Sequence, residues 1–477
     1  MELHVVIDGK KDLTGQLYRQ IKDAIQSGRL AAGGQLPPSR LLAEQLGLSR
    51  KTVSEAYARL TYDRLVVGQV GVGSFVSDQP SRLAQAAHAP ALAGAAVAAQ
   101  WRNMPTPLRH PSPAGTARYE YIGGSPDRSL YPQADWRRCV LYALRECAKS
   151  RGLYGETEGL FALRASIARH VAFSRGVRCG VGDVVVTSGA QQALDLVARV
   201  LVEPGCTVAV EDPGYPPARL LLAAQGAHVI GIPVDGEGMV VDQIPDGTRL
   251  IYTTPAHQFP LGMPMGMARR HALLARARAL GAIVIEDDYD SEFRYEGRPT
   301  DSLQSMDTYG SVAYVGTFSK TLSPELRLGY LIAPPAILEA VCVAKHLTDW
   351  HTSIPAQWAL AKFMSGGDLL KHVRRCHTAY AERRERIVQR FHGDLSPWFE
   401  LVPATAGFHL AALCKRPLDM KLLLNLARRV DVGLYPLDVF YHFTPPQQGL
   451  MLGYGAIDAA DIDTSLNRVR DILQEIG

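Results

Sequence analysis

The chain has 477 residues, room for several domains at roughly 100–200 residues each. Hydrophobic residues make up 47% and charged residues 21%, an ordinary globular balance, and a net charge of +4 is too small to imply nucleic acid by itself. The seven cysteines stand singly with no C-x-x-C spacing, which argues against a disulfide framework or a zinc site and for a reduced, cytoplasmic setting. The opening MELHVVIDGKKD has no apolar signal core, and the run APALAGAAVAA near 89–99 is too short to span a bilayer.

Composition changes near residue 80 and again near 118. This predicts a small unit at 10–78, a linker at 79–118 rich in alanine and proline, and a large unit at 119–477. In the small unit Leu13, Leu17, Ile21 and Ile25 recur at four-residue steps, an amphipathic helix ended by Gly28. Ser39 is the expected cap of a second helix that Gly47 stops. Ser49 is the expected cap of a third, in which Val53, Ala56, Tyr57 and Leu60 face the core. Arg50, Lys51, Thr52 and Ser54 remain on the other face. LVVGQ and GSFVS then read as a hairpin.

Two helices across a Gly-Leu-Ser turn followed by a hairpin make a winged helix-turn-helix. Its recognition helix would offer Arg50, Lys51 and hydroxyls to base edges or phosphates. A small protein-interaction module with a solvated face is the other reading of the pattern. The stretch QLYRQIKDAIQSGRLAAGGQLPPSRLLAEQLGLSRKTVSEAYARLTYDRLV resembles a GntR-type DNA-binding domain. The resemblance implies DNA contacts from Arg40, Arg50 and Thr52, and a wing at Gly71–Gly73 approaching the minor groove. Ser49 and Lys51 complete the candidate set. Val70 stands where many relatives carry arginine.

In the large unit, apolar runs such as VVVTSG, TVAVEDPGY, RLIYTTP, AIVIEDDYD and SVAYVGTFSK alternate with helical stretches. That alternation predicts an α/β unit with a mostly parallel sheet covered on both faces. Ligands bind such sheets at the strands' carboxyl ends. There lie SGAQ, EDPGY, TPAHQFP, EDDYD and TFSK. Ser188, Gly189 and Ala190 open a helix whose amides suit an anion, and Thr317, Ser319 and Arg327 add phosphate donors. Lys320 is a primary amine among apolar strands, where desolvation makes it nucleophilic. Asp287 ends a strand and can pair with a ring nitrogen, Tyr289 can meet a phenolic oxygen, and Tyr215 can stack on a flat ring. Together these describe a pyridoxal phosphate site.

The unit also resembles the fold-type I aminotransferases, through GGSPDRSLYP, YGETEGLFALRASIARHV, VTSGAQQALDL, EDPGYPPAR, IEDDYDSEFRY and GTFSKTLSPELRLGY. The resemblance implies Lys320 as the catalytic lysine that anchors the aldehyde, with the other residues in the roles just given. It implies that Tyr154 reaches the phosphate of a partner subunit, hence a homodimer. Two departures stand out. Phe259-Pro260-Leu261-Gly262 replaces Asn-Pro-x-Gly, and Met451 stands where an arginine usually clamps the substrate carboxylate; Arg128 and Arg219 are the candidate replacements.

A winged helix, a linker and an aminotransferase-like unit in that order resemble the MocR subfamily of GntR-type regulators. The implied function is a pyridoxal-phosphate-dependent regulator that binds promoter DNA and senses the cofactor, an amine or an amino acid. The alternative is an active aminotransferase carrying a winged helix. With Met451 in place of arginine, sustained turnover is not expected, and at most a residual half-reaction remains.

Overall fold

The computed structural model describes residues 5, 7, 9, 12–69, 72–77, 97–102, 104–106, 117–297 and 301–476. The chain divides into two compact units, Met1–Val97 and Ala98–Gly477. Most of the expected linker lies outside the described residues, as do Val70 and Gly71 of the wing.

The first unit carries helices Leu13–Gln26, Ser39–Leu46 and Arg50–Tyr62, then strands Val66–Gln69 and Gly73–Val76. Leu17 and Ile21 of the first helix bury against Val53, Ala56 and Leu60 of the third. Burying each large aliphatic side chain contributes about 1.5–3 kcal/mol. Gly47 sits at φ 63°, a left-handed conformation that closes the second helix and starts the turn. Ser49 accepts the Thr52 amide at 3.1 Å, the expected cap. Ser39 does not cap the second helix. Pro38 occupies that position with φ −53° and no side-chain acceptor, and Ser39 is already helical. The fixed proline φ sets the entry direction instead. The Tyr57 hydroxyl donates to the Pro37 carbonyl at 2.8 Å, tying the third helix to the start of the second.

The second unit is built on an eight-stranded sheet. In spatial order its strands are Val184–Thr187, Gly329–Ile332, Val312–Thr317, Ile283–Asp288, Thr248–Thr253, Thr207–Asp212, His228–Asp235 and Gly238–Met239. From Val312–Thr317 to His228–Asp235 all neighbours are parallel. Helices Ala190–Leu201 and Pro335–Asp349 pack with one core cluster, and Phe161–Arg175 and Ile354–Ser365 with another. A smaller antiparallel sheet joins Phe399–Leu401, His409–Cys414, Gly449–Gly453 and Tyr435–Pro436. Helices Asp368–His392 and Ala459–Ile476 share its core. All seven cysteines are free thiols. No helix among the described residues is long and apolar enough to cross a membrane.

Gly329–Ile332 runs antiparallel to both neighbours, so Gly329 lies opposite Thr317 on one side and Thr187 on the other. A Cβ there would fall 2.9 Å from both the Gly189 carbonyl carbon and the Gly316 oxygen. Only glycine lets the two strand ends close to this distance, and the site forms at that point.

Candidate functional site

In the small unit Arg40, Arg50 and Lys51 are exposed, and none makes a hydrogen bond or ion pair among the described residues. The last two open the third helix, with guanidinium and ammonium available to a nucleic acid. Ser49 and Thr52 are occupied with each other, hydroxyl to hydroxyl at 2.8 Å. Ser49 therefore serves first as a helix cap. Gly73, at φ 142°, begins the second wing strand, and Gln35 reaches the adjacent Val72 carbonyl at 3.1 Å.

In the large unit the predicted cofactor residues converge, with one exception. The Lys320 amine donates to the Gly124 carbonyl at 2.8 Å. A Cβ on Gly124 would meet that amine at 2.8 Å, so the glycine at φ 76° makes the approach possible. Desolvation lowers the Lys320 pKa against the opposing charges of Asp290 and Asp287, and Arg327 lowers it further. The result is an amine biased toward its neutral, nucleophilic form.

Asp287 is buried and takes the Tyr252 hydroxyl on Oδ2 at 2.8 Å. Its Oδ1 has no partner. Burial raises its pKa to about 7, despite the Tyr252 hydrogen bond. An unpaired buried carboxylate oxygen costs free energy unless a donor completes it. A protonated ring nitrogen is such a donor.

Ser188, Gly189 and Ala190 lead into helix Ala190–Leu201. The Arg327 guanidinium donates to the Ser188 carbonyl at 3.0 Å, and a Cβ on Gly189 would lie 2.9 Å from that guanidinium. Thr317 and Ser319 are buried beside them, with the Ser319 amide donating to Thr317 Oγ1 at 3.1 Å. A helix N-terminus, two hydroxyls and an arginine make an anion cradle. The Tyr215 ring, whose pKa burial raises to about 12, meets Phe259 edge-on at 5.6 Å. Tyr289 donates to the His257 carbonyl at 2.8 Å. Phosphate cradle, amine, acid and rings thus fit pyridoxal phosphate.

Tyr154 is the exception. It is 74% exposed and packs on Trp350 at 4.1 Å rather than in this site. Arg128 is 88% exposed and lies 3.6 Å from Glu325. Arg219 is half-buried with Asp212 as its neighbouring charge. Neither shows a clamp in the site.

Several site residues escape the sequence reading. Gly124 was visible only as part of a motif. His257 and Asp290 were in the quoted clusters, yet their pairing at 3.0 Å was not foreseen. His409 comes from the small sheet, its ring 4.3 Å from His257, and carried no sequence signal. Asp212 accepts the amides of His442, Phe443 and Thr444 at 2.8, 3.1 and 2.7 Å, fastening the loop after Tyr435–Pro436.

These features define two modules, a DNA-reading winged helix and an aminotransferase-type cofactor fold. Residues 13–76 match the bacterial regulatory proteins of the gntR family, and residues 132–463 match aminotransferase class I and II. The chain is 35% identical over 464 residues to the "Probable rhizopine catabolism regulatory protein MocR" of Rhizobium meliloti, covering 95% of this chain and 92% of that protein. It is 31% identical to the pyridoxine biosynthesis transcriptional regulator PdxR of Corynebacterium glutamicum, covering 96% and 95%. The kynurenine aminotransferase of Pyrococcus horikoshii superposes with a TM-score of 0.69 at 29% identity, over 75% of this chain and 90% of that one. The chain belongs to the MocR-type transcriptional regulators, in which a GntR domain is joined to an aminotransferase domain. The aminotransferase family normally binds pyridoxal phosphate.

Proposed function

We propose that this chain is a cytoplasmic, homodimeric regulator that binds pyridoxal phosphate at Lys320 and promoter DNA through its winged helix. In this reading the cofactor state, alone or with an amino compound, sets how the winged helices engage DNA. The observation that carries the reading is Asp287 Oδ1, buried and unpartnered, together with the anion cradle and a desolvated lysine. When bound, the cofactor supplies an aldehyde that combines with primary amines. Lys320 would hold that aldehyde, and Asp287 would keep the ring nitrogen protonated. Tyr289 would meet the phenolic oxygen and Tyr215 the ring face. Ser188, Gly189, Ala190, Thr317, Ser319 and Arg327 would hold the phosphate. Sensing further requires that the ligand favour one arrangement of the chain over another.

In the cofactor-loaded wild type a visible absorbance band is expected, and Lys320→Ala should abolish it. Lys320→Ala should also remove any effect of cofactor on promoter affinity. An unaltered regulatory response in a promoter-reporter assay would reduce the site to a structural role. Arg50→Ala and Thr52→Ala should each weaken promoter binding by about 1–3 kcal/mol. Unchanged affinity in both variants would remove the DNA assignment. The second reading, a working aminotransferase, draws on the completeness of the Lys320 and Asp287 machinery. Many turnovers per site with an amino donor and a 2-oxo acid would establish it.

A further inference from the structure

Met451 sits in strand Gly449–Gly453 between Ala411 and Tyr435 of its neighbours, with only 5% of its surface exposed. A Cβ on Gly123 would lie 2.6 Å from its terminal methyl. The next residue, Gly124, supplies the carbonyl that holds the Lys320 amine at 2.8 Å. The thioether therefore packs one residue away from the group that marks the reactive nitrogen. Its companions are Leu261, Met263, Ala411 and Leu437, with Phe259 and Phe440 packed on their edge. Phe259 itself meets the rings of Tyr215, Tyr289, His409 and Phe440 at 5.6, 6.1, 5.8 and 5.0 Å. One wall of the site is thus apolar and aromatic.

The charges around the amine complete the picture. Arg327, which acts on Lys320 as a cation, already donates to the Ser188 carbonyl at 3.0 Å, and Asp290 is paired with His257 at 3.0 Å. His409, buried against His257, is held neutral by desolvation and by the charges of His257 and Lys320. A carboxylate arriving beside Lys320 would meet a methionine and aromatic edges, with Asp287 given to the ring nitrogen and Asp290 to His257. Burying an anion without a partner is costly.

We infer that the effector taken at the Lys320 site is a primary amine with an apolar or aromatic substituent and no carboxylate on its amine-bearing carbon, with Met451 as the specificity-determining residue. This rests on the cofactor reading above. Full-length, cofactor-loaded protein tests it with matched pairs that differ only in the carboxylate: phenethylamine against phenylalanine, and pentylamine against 2-aminohexanoate. Two readouts are followed, the visible band and promoter affinity. Each amine should half-saturate the band change at least about ten-fold below its amino acid partner. Met451→Arg should narrow or reverse that preference, and Met451→Leu should keep it.

Equal or tighter response to the amino acids in the wild type overturns the inference, including the case in which the partner subunit supplies a clamp. Absence of response to either member of both pairs overturns it as well, while a persisting cofactor band leaves the cofactor reading standing. Absence of the band itself defeats both. The wild-type comparison decides the matter even if Met451→Arg does not fold.

Discussion

Glu286, Asp287 and Asp288 leave one strand end for three different fates. Glu286 is fully buried and satisfied by the Leu303 and Gln304 amides, both at 2.9 Å. Burial works against the Asp288 carboxylate, but Arg175 at 2.7 Å and the Tyr314 hydroxyl outweigh it and hold its pKa low. Asp287, like Asp288, has one oxygen without a partner, but it has a single hydroxyl and no guanidinium beside it, and its pKa rises from 3.8 to about 7. The unfolded chain releases this proton near pH 4 while the folded chain keeps it. Stability present below that pH is therefore lost as pH rises through about 7. Cofactor-free Asp287→Asn should then unfold at higher denaturant than wild type near pH 8, by about 2–4 kcal/mol, with the gap closing near pH 4. The same variant should bind cofactor poorly. Equal midpoints at both pH values would show that Asp287 carries no such penalty. Its place after an apolar run made Asp287 legible in the sequence. Tyr252, its partner, was not legible, because that contact depends on which strands become neighbours.

The anion cradle is a property of elements more than of residues. Helix Pro335–Asp349 buries Lys345 completely, and its amine donates to Asp349 at 2.9 Å, Thr352 at 3.1 Å and Gln192 at 3.3 Å. Gln192 donates to Asp349 at 2.8 Å and accepts the Ser188 amide at 2.8 Å. The helix thereby orients the turn that opens Ala190–Leu201. A buried network of this kind fixes geometry when every member is satisfied. Gln192→Leu strands the Ser188 amide, at about 1–3 kcal/mol, and removes one partner each from Lys345 and Asp349, which keep each other. Cofactor affinity measured by absorbance titration should fall about ten-fold or more, while promoter affinity of the cofactor-free protein stays level. Gly189→Ala should do worse, since φ 87° strains alanine and its Cβ meets Arg327. Unchanged cofactor affinity in both would show that the cradle does not hold the phosphate. The alternation of apolar runs and helices made the sheet and the SGAQ turn readable. The antiparallel Gly329–Ile332 strand, which lies between Thr187 and Thr317, was hidden, because strand order is set by long-range packing.

At the scale of the whole molecule, Tyr154 marks what one chain leaves unfinished. Leu153, Tyr154 and Leu347 are 79%, 74% and 80% exposed, and Trp350 packs against Tyr154 at a tilt. Scattered exposed leucines need no explanation, but a tyrosine–tryptophan pair flanked in sequence by two open leucines is a surface suited to association. The YGETEG motif was legible and its tyrosine is expected at a partner's phosphate; in this chain it packs on Trp350, outside the chain's own site. A twofold pair would also present two recognition helices to two half-sites. Leu347→Asp combined with Trp350→Asp places two charges on this surface. If the surface is the dimer contact, sedimentation should show wild type as a dimer and the variant shifted to monomer. Cofactor and promoter affinity should then fall together, because the partner's tyrosine and the second winged helix are lost in one step. Tyr154→Phe should stay dimeric and lose only cofactor affinity, since the ring remains to pack while the hydroxyl that would meet the phosphate is gone. A monomeric double variant with undiminished cofactor affinity would place Tyr154 outside the site in every assembly state.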